Sequence, residues 1–141
     1  MEEDYVILKQ YLLNLEYNAP TRPEEFLTLE DDSEANQANE LGLQIEFQES
    51  SGLYYVDLSF SCDATLPESI VVFTLKLIYR GIVVINFSLP EEKIRECLNI
   101  LVPQELYEDI RELVYSITFH SGFNPIKLDD FSFKTKSVLS I

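Results

Sequence analysis

The chain has no tryptophan, one histidine, two cysteines and four glycines among its 141 residues, and each shortage removes a class of chemistry. His120 is the only imidazole that could join Cys62 and Cys97, which is too few donors for a closed nitrogen and sulfur metal site. A nucleophile, base and orienter triad has nothing to start from. Gly42, Gly52, Gly81 and Gly122 are scattered, so no glycine-rich loop exists to cradle phosphate. Basic residues are scarce as well: 10 Lys and Arg stand against 25 Asp and Glu, for a net charge of -15. Nucleic acid and anionic membrane surfaces are repelled by that charge over roughly a Debye length, while basic partner surfaces remain open. Apolar runs stay far short of the ~20 residues that span a bilayer. The acidic start Met1-Glu2-Glu3-Asp4 has the wrong sign for a signal peptide, so the expected location is the cytosol. Carboxylate pairs arise by chance among so many acids and carry no catalytic signal without geometry. The chain reads as a non-enzyme, with no catalytic residue, metal or cofactor.

What is abundant is apolar and aromatic side chain, at 46% and 12% of the residues. That composition argues against disorder despite the charge, and the length suits a single domain spanning residues 1–141 around one core. Three strongly alternating segments follow one another between Leu41 and Ile85. Leu41, Leu43, Ile45 and Phe47 share one face of the first; Tyr54, Val56, Leu58, Phe60 and Cys62 share one face of the second. Side chains on a strand alternate with period two, so both are half-buried strands, joined by a hairpin at Glu49-Ser50-Ser51-Gly52. A third, β-branched run follows the break at Asp63 to Ser69, with Val71, Phe73, Leu75, Leu77 and Tyr79 as its heavier face. Gly81 within it predicts a bulge or sharp bend.

Before these lies a first strand, Tyr5 to Tyr17, with Tyr11, Leu13, Leu15 and Tyr17 on one face and Val6, Leu8 and Leu12 on the other. Apolar groups on both faces predict two covers, the core and another subunit or ligand. The acidic stretch from Thr21 to Glu40 has no clean period; so long a connection fits a crossing between non-neighbouring strands, pinned by Phe26 and Leu29. After Ile85 the period becomes helical. Ser88 is the expected cap, with Glu91 reaching back to it. The stripe Ile94, Cys97, Leu98 and Leu101 follows, and Pro103 should stop or bend the helix. A second helix, about Gln104 to His120, carries Leu106, Ile110, Leu113, Val114 and Ile117, with His120 at its negative end and Gly122 closing it. Phe123 to Ile141 reads as an extended covering segment with a frayed terminus, and the two cysteines as buried free thiols.

The aromatic residues exceed what one sheet face and two helix stripes require. They fit either an oligomer interface or a groove for extended apolar polypeptide. An acidic mimic of nucleic acid that blocks a basic site is a further alternative.

The order of motifs from Tyr5 to Phe133 resembles the SecB family of protein-export chaperones. Leu15-Glu16-Tyr17-Asn18-Ala19-Pro20 is similar to the family's I-S-F-E-A-P, and Arg80-Gly81 keeps one of its paired glycines. Pro103, Leu106, Tyr107, Arg111 and Glu112 match P-N-x-L-F-x-x-x-R-E; Gly122, Pro125, Leu128 and Phe133 follow R-G-x-F-P-x-L-x-L-x-P-V-N-F. The resemblance implies an α+β fold: a four-stranded antiparallel Greek-key sheet with two helices packed on one side, assembled as a dimer of dimers that holds unfolded client polypeptides. Tyr17, Phe26, Tyr107, Phe131 and Phe133 are the expected polypeptide-binding residues. Tyr11 and Leu13 on the first strand, with Ile94, Cys97, Leu98 and Leu101 on the first helix, are the expected oligomer contacts. Where the family has acids that dock the motor SecA, this chain has Asn14, Asn18, Thr74 and Lys76. That departure leaves two readings, an export holdase or a chaperone dedicated to one client such as an antitoxin.

Overall fold

The computed structural model describes residues 3–22, 36–66, 70–134 and 139–140. Four long strands, β1 (Tyr5–Asn18), β2 (Asn36–Gln48), β3 (Leu53–Leu66) and β4 (Ile70–Ile85), precede the helical elements α1 (Glu91–Glu96) and α2 (Val102–His120), and a short β5 (Leu139–Ser140) follows. The sheet order is β1-β4-β3-β2-β5. The hairpin meander β2-β3-β4 is therefore joined by β1 on its far side, which is the expected Greek-key crossing. Strand β2 begins at Asn36 rather than Leu41, and its first residues pair with the end of β3, as in Asn36 opposite Thr65. The pinning residues Phe26 and Leu29 fall outside the described residues.

Alternation on β3 is followed without error: Val56, Leu58, Phe60, Cys62, Ala64 and Leu66 are all buried. They pack beneath Leu106, Ile110 and Val114 of α2, which are fully buried. Removing each such side chain from water contributes about 1.5–3 kcal/mol. Burial pushes the Cys62 thiol up to about 11, with Asp63 adding to the shift. Gly52 closes the β2-β3 hairpin with φ 70, and Gly122 follows α2 with φ 87, both where a left-handed residue was expected.

Four expectations change. Gly81 marks no bulge, because β4 pairs with β3 without a break there. Its missing side chain makes room for α2: a Cβ at Gly81 would meet Leu106 Cδ2 at 3.2 Å. The β4 irregularity lies between Phe73 and Val71, opposite Ala64 and Thr65. As a result Val72 is buried and Val71 is 37% exposed, so Val71 leaves the heavy face.

Ser88 does not cap a helix; its hydroxyl donates to Asn86 Oδ1 at 2.6 Å. Pro90 occupies the cap position, and its carbonyl accepts from Lys93 and Ile94. Glu91 instead meets Arg95 one turn on, at 2.9 Å.

Pro103 does not end the helix either. Residues Cys97–Leu101 form a π-helical turn between α1 and α2, in which the Val102 N–H reaches back to the Cys97 carbonyl. A proline lacks the amide and crowds the carbonyl four residues earlier, and a widened turn takes up that mismatch. The two expected helices are thus one helical unit, residues 91–120.

The fourth change concerns β1. Its pairing with β4 shifts between Ile7 and Lys9 and again between Leu12 and Asn14. Each bulge inverts the alternation. Leu15 and Tyr17 lie opposite Leu77 and Leu75 on the helix side, whereas Tyr11 lies opposite Arg80 on the other side, so the four residues expected on one face are divided.

Candidate polypeptide-binding surfaces

Aromatic side chains gather in four places. At the N-terminal half of α2, Tyr107 meets Phe131 and Phe133 with ring centroids 6.0 and 6.1 Å away, and Phe131 and Phe133 are 4.8 Å apart. The covering segment is fixed here by side chains that grip its backbone. Tyr107 donates its hydroxyl to the Asp129 carbonyl at 2.6 Å, Arg111 Nε donates to that of Leu128 at 3.1 Å, and Thr118 accepts from the Ile126 amide at 2.9 Å. Burial raises the Tyr107 pKa, against the opposing pull of Arg111. Tyr107 and Phe133 are only 5% and 6% exposed, so Phe131 is the member of this trio that faces outward.

Near the end of β1, Tyr17 stacks on Phe73 with centroids 5.8 Å apart, and Phe73 meets Phe123 in a tilted pair at 5.6 Å. The Tyr17 hydroxyl is buried without a hydrogen-bond partner among the described residues. The expected polypeptide-binding residues therefore fall in two separate places, and Phe26 lies outside the described residues.

The remaining two groups are more exposed. Phe47, Tyr54 and Phe87 form a triad with centroids 4.8 to 6.3 Å apart, in which Phe47 is 42% and Phe87 56% exposed. Phe87 was missed in the sequence because it follows a strand inside a polar turn, Asn86-Phe87-Ser88; a large apolar residue in such a turn was the available signal. Tyr115 and Phe119, one turn apart on the outer side of α2, stack at 6.4 Å.

The sheet face away from the helices is organised by charge. Arg80 makes a bidentate pair with Asp57, at 2.7 and 2.9 Å, and lies 4.8 Å from the Tyr55 ring centroid. That hydrogen bonding holds the Arg80 guanidinium more firmly protonated, against the effect of burial. Toward the far end of β1, Asn14, Glu16 and Asn18 lie opposite Ile78, Lys76 and Thr74. The four expected docking positions thus do share one face. Asn18, Thr74 and Lys76 line an open depression of about 450 Å³ together with Leu15, Glu16 and Tyr17. Glu16 is the acid in this patch, and Lys76 faces it across the strands.

The expected oligomer contacts do not stay together. Leu13 sits at the second β1 bulge, 41% exposed, and Leu8 at the first is 58% exposed. By contrast Cys97 and Leu98 are 0% and 6% exposed in the single chain, and Ile94 and Leu101 pack against the same core. Cys97 and Leu98 are thus buried within the single chain, where the π turn carries the helix over the sheet, while Ile94 and Leu101 are only partly buried. Desolvation raises the Cys97 pKa, helped by Asp4.

Where β1 meets α2, polar groups are saturated. Tyr5 donates to Glu105 at 2.5 Å, Gln10 to Asp109, and Tyr79 to Asp109 at 2.9 Å. Among the described residues no group of His, Cys, Asp or Glu could hold a metal ion, and no helix is long and apolar enough to cross a membrane. What these surfaces offer is apolar and aromatic contact.

A family model described as preprotein translocase subunit SecB matches residues 1–136. The protein-export protein SecB of Dechloromonas aromatica is 30% identical over 128 residues, covering 91% of this chain and 80% of the relative. That of Magnetococcus marinus is 26% identical, with 90% and 78% covered. Among solved structures, a Mycobacterium tuberculosis SecB-like chaperone, in complex with a ChAD peptide from the HigA1 antitoxin, superposes with a TM-score of 0.75 at 17% identity, covering 92% of this chain and 91% of the other. The Greek-key sheet, the helical unit laid on one of its faces and the motif order from Tyr5 to Phe133 agree with these matches: the chain belongs to the SecB family.

Proposed function

We propose that the protein is an ATP-independent holdase that binds unfolded or partly folded polypeptides, including precursors for export. The observation that carries this reading is the placing of Phe47, Phe87, Tyr115 and Phe119, large apolar side chains exposed by 39 to 57% in two groups on a protein that already has a full core. Rings of this kind give adaptable contact to many sequences with little order to lose. Three or four side chains buried at about 1.5–3 kcal/mol each supply at most about 5–12 kcal/mol before ordering costs, so the roughly 8 kcal/mol of micromolar binding requires these rings together with further contacts along the client. The test is aggregation of an unfolded client at stoichiometric chaperone. No suppression would overturn the reading.

A second reading, a chaperone dedicated to one client such as an antitoxin, rests on the docking patch. Asn14, Asn18, Thr74 and Lys76 leave Glu16 as its acid, faced by Lys76, which suits an acid-seeking motor poorly. Pull-down with SecA separates the two, since tight SecA binding counts against the dedicated chaperone. For assembly we propose a dimer through β1, whose outer edge is unpaired among the described residues and whose bulges turn Leu8 and Leu13 outward. The tetramer contact moves from the buried stripe to the Tyr115 and Phe119 side of α2.

A further inference from the structure

The edge of the sheet opposite β1 is occupied by the chain itself. Strand β5 pairs with β2 in parallel, Leu139 opposite Gly42 and Ser140 opposite Leu43. Strand β2 runs from Asn36 to Gln48, so among the described residues β5 pairs only with the middle of a long edge. An unpaired edge presents a row of backbone donors and acceptors that accepts another extended chain with little regard to sequence.

Two further observations make β5 a tethered occupant. The segment before it is fastened to α2 at Ile126, Leu128 and Asp129, and lastly where Phe133 N–H donates to Gln104 Oε1 at 3.4 Å. The six residues from Phe133 to Leu139 reach at most about 20 Å, which keeps the strand near its edge at an effective concentration of the order of millimolar. The segment carries Lys134 and Lys136, and β2 carries Glu40 and Glu46. Strand β5 is therefore preceded in sequence by basic residues and lies on an edge that carries acids.

We infer that the β2 edge at Gly42 and Leu43 is a strand-addition site for client polypeptide, and that the C-terminal strand occupies it until a client displaces it. This rests on the holdase reading. A tethered competitor weakens every client that uses the edge by the same factor, and the loss is restored when the tether is cut.

The test compares the full chain with a chain ending at Lys134, and with the full-length Leu139→Pro variant, in which proline disfavours pairing without removing residues. The probe is reduced, carboxymethylated α-lactalbumin, titrated by fluorescence anisotropy. Both variants are expected to bind it about three- to tenfold more tightly, within the range a short tether produces. A synthetic peptide of residues 133–141 should compete with the probe on the shortened chain. Equal or weaker binding by both variants overturns the inference while leaving the holdase reading intact. Self-association of the shortened chain with no gain in client binding also overturns it, since the tail then merely blunts an edge. Binding by neither form overturns the holdase reading and this inference with it.

Discussion

Strands β3 and β1 have nearly equal lengths and similar apolar content, yet one is regular and the other is not. From Val56 to Leu66, β3 buries every second residue, because β2 and β4 flank it and α2 covers it. Among the described residues strand β1 has a neighbour on one side only, and two bulges divide it into three short registers. Bulges concentrate at sheet edges, where an extra residue costs few ladder bonds. On β1 those residues are Leu8 and Leu13, turned toward solvent. Regular alternation thus builds the core, and broken alternation leaves an apolar margin at the sheet edge, Leu8 and Leu13, the surface we propose for self-association.

The strongest way to break this division of labour is Leu98→Glu. If the helix stripe belongs to the core, an unpaired charge there costs about 3–5 kcal/mol, a large fraction of the 5–15 kcal/mol typical of a domain. Urea unfolding should show the subunit destabilised or unfolded. A variant that keeps its unfolding midpoint and loses only mass by sedimentation would return the stripe to the interface. Next in size is a matched pair. Leu58→Ala, at a fully buried position, should lose about 2–5 kcal/mol. Leu13→Ala at the bulge should stay within about 0.5 kcal/mol while lowering the mass in sedimentation. Equal losses from the two would erase the distinction between core and margin.

A smaller effect separates the two reasons for a glycine in a strand. Gly81→Ala sets a methyl 3.2 Å from Leu106 Cδ2, which must give by a few tenths of an ångström; with the helix holding Leu106 in place the expected loss is up to about 1 kcal/mol after the backbone gain of alanine is counted. Combining it with Leu106→Ala should recover part of that loss, as coupling between residues in contact requires. Additive losses would mean that the glycine serves the strand backbone instead of the helix above it.

How far the sequence could be read follows from the same contrast. Period two on β2 and β3 and the apolar stripe of α2 are direct records of burial, and they placed Leu58, Phe60, Leu106 and Ile110 in the core. A crossing between non-neighbouring strands was legible from the length of the segment before β2, and its Greek-key form from the family resemblance. The β1 bulges were not, because an apolar residue at a bulge and one on a regular face look alike in sequence. Pro103 misled for a similar reason: the π turn that tolerates it has no composition of its own. Of the five residues expected in one polypeptide-binding set, Tyr107, Phe131 and Phe133 meet one another while Tyr17 stands apart on Phe73, and Phe87 and the occupied β2 edge depend on neighbours distant in sequence.

The Tyr79 hydroxyl ties β4, the neighbour of the bulged strand, to Asp109 of α2. Burial and the hydrogen bond to Asp109 push the Tyr79 hydroxyl up to about 12 from its ordinary 10.0. The neutral phenol is thus favoured in the folded state, and the stability it contributes is complete below pH 10 and lost as pH rises toward 12. Cys62 acts in the same direction over a window one unit lower, from 9.0 to about 11, and the raised Tyr5 adds at the alkaline end. Urea midpoints of the wild type should therefore fall from pH 9 upward. Tyr79→Phe should start lower, having lost one bond to Asp109, but decline less steeply above pH 10, while the Cys62 part of the slope persists. Parallel curves for the two proteins would mean that the Tyr79 hydroxyl is not held by Asp109 in solution, leaving the Tyr5 and Gln10 bonds of β1 as the polar ties to α2.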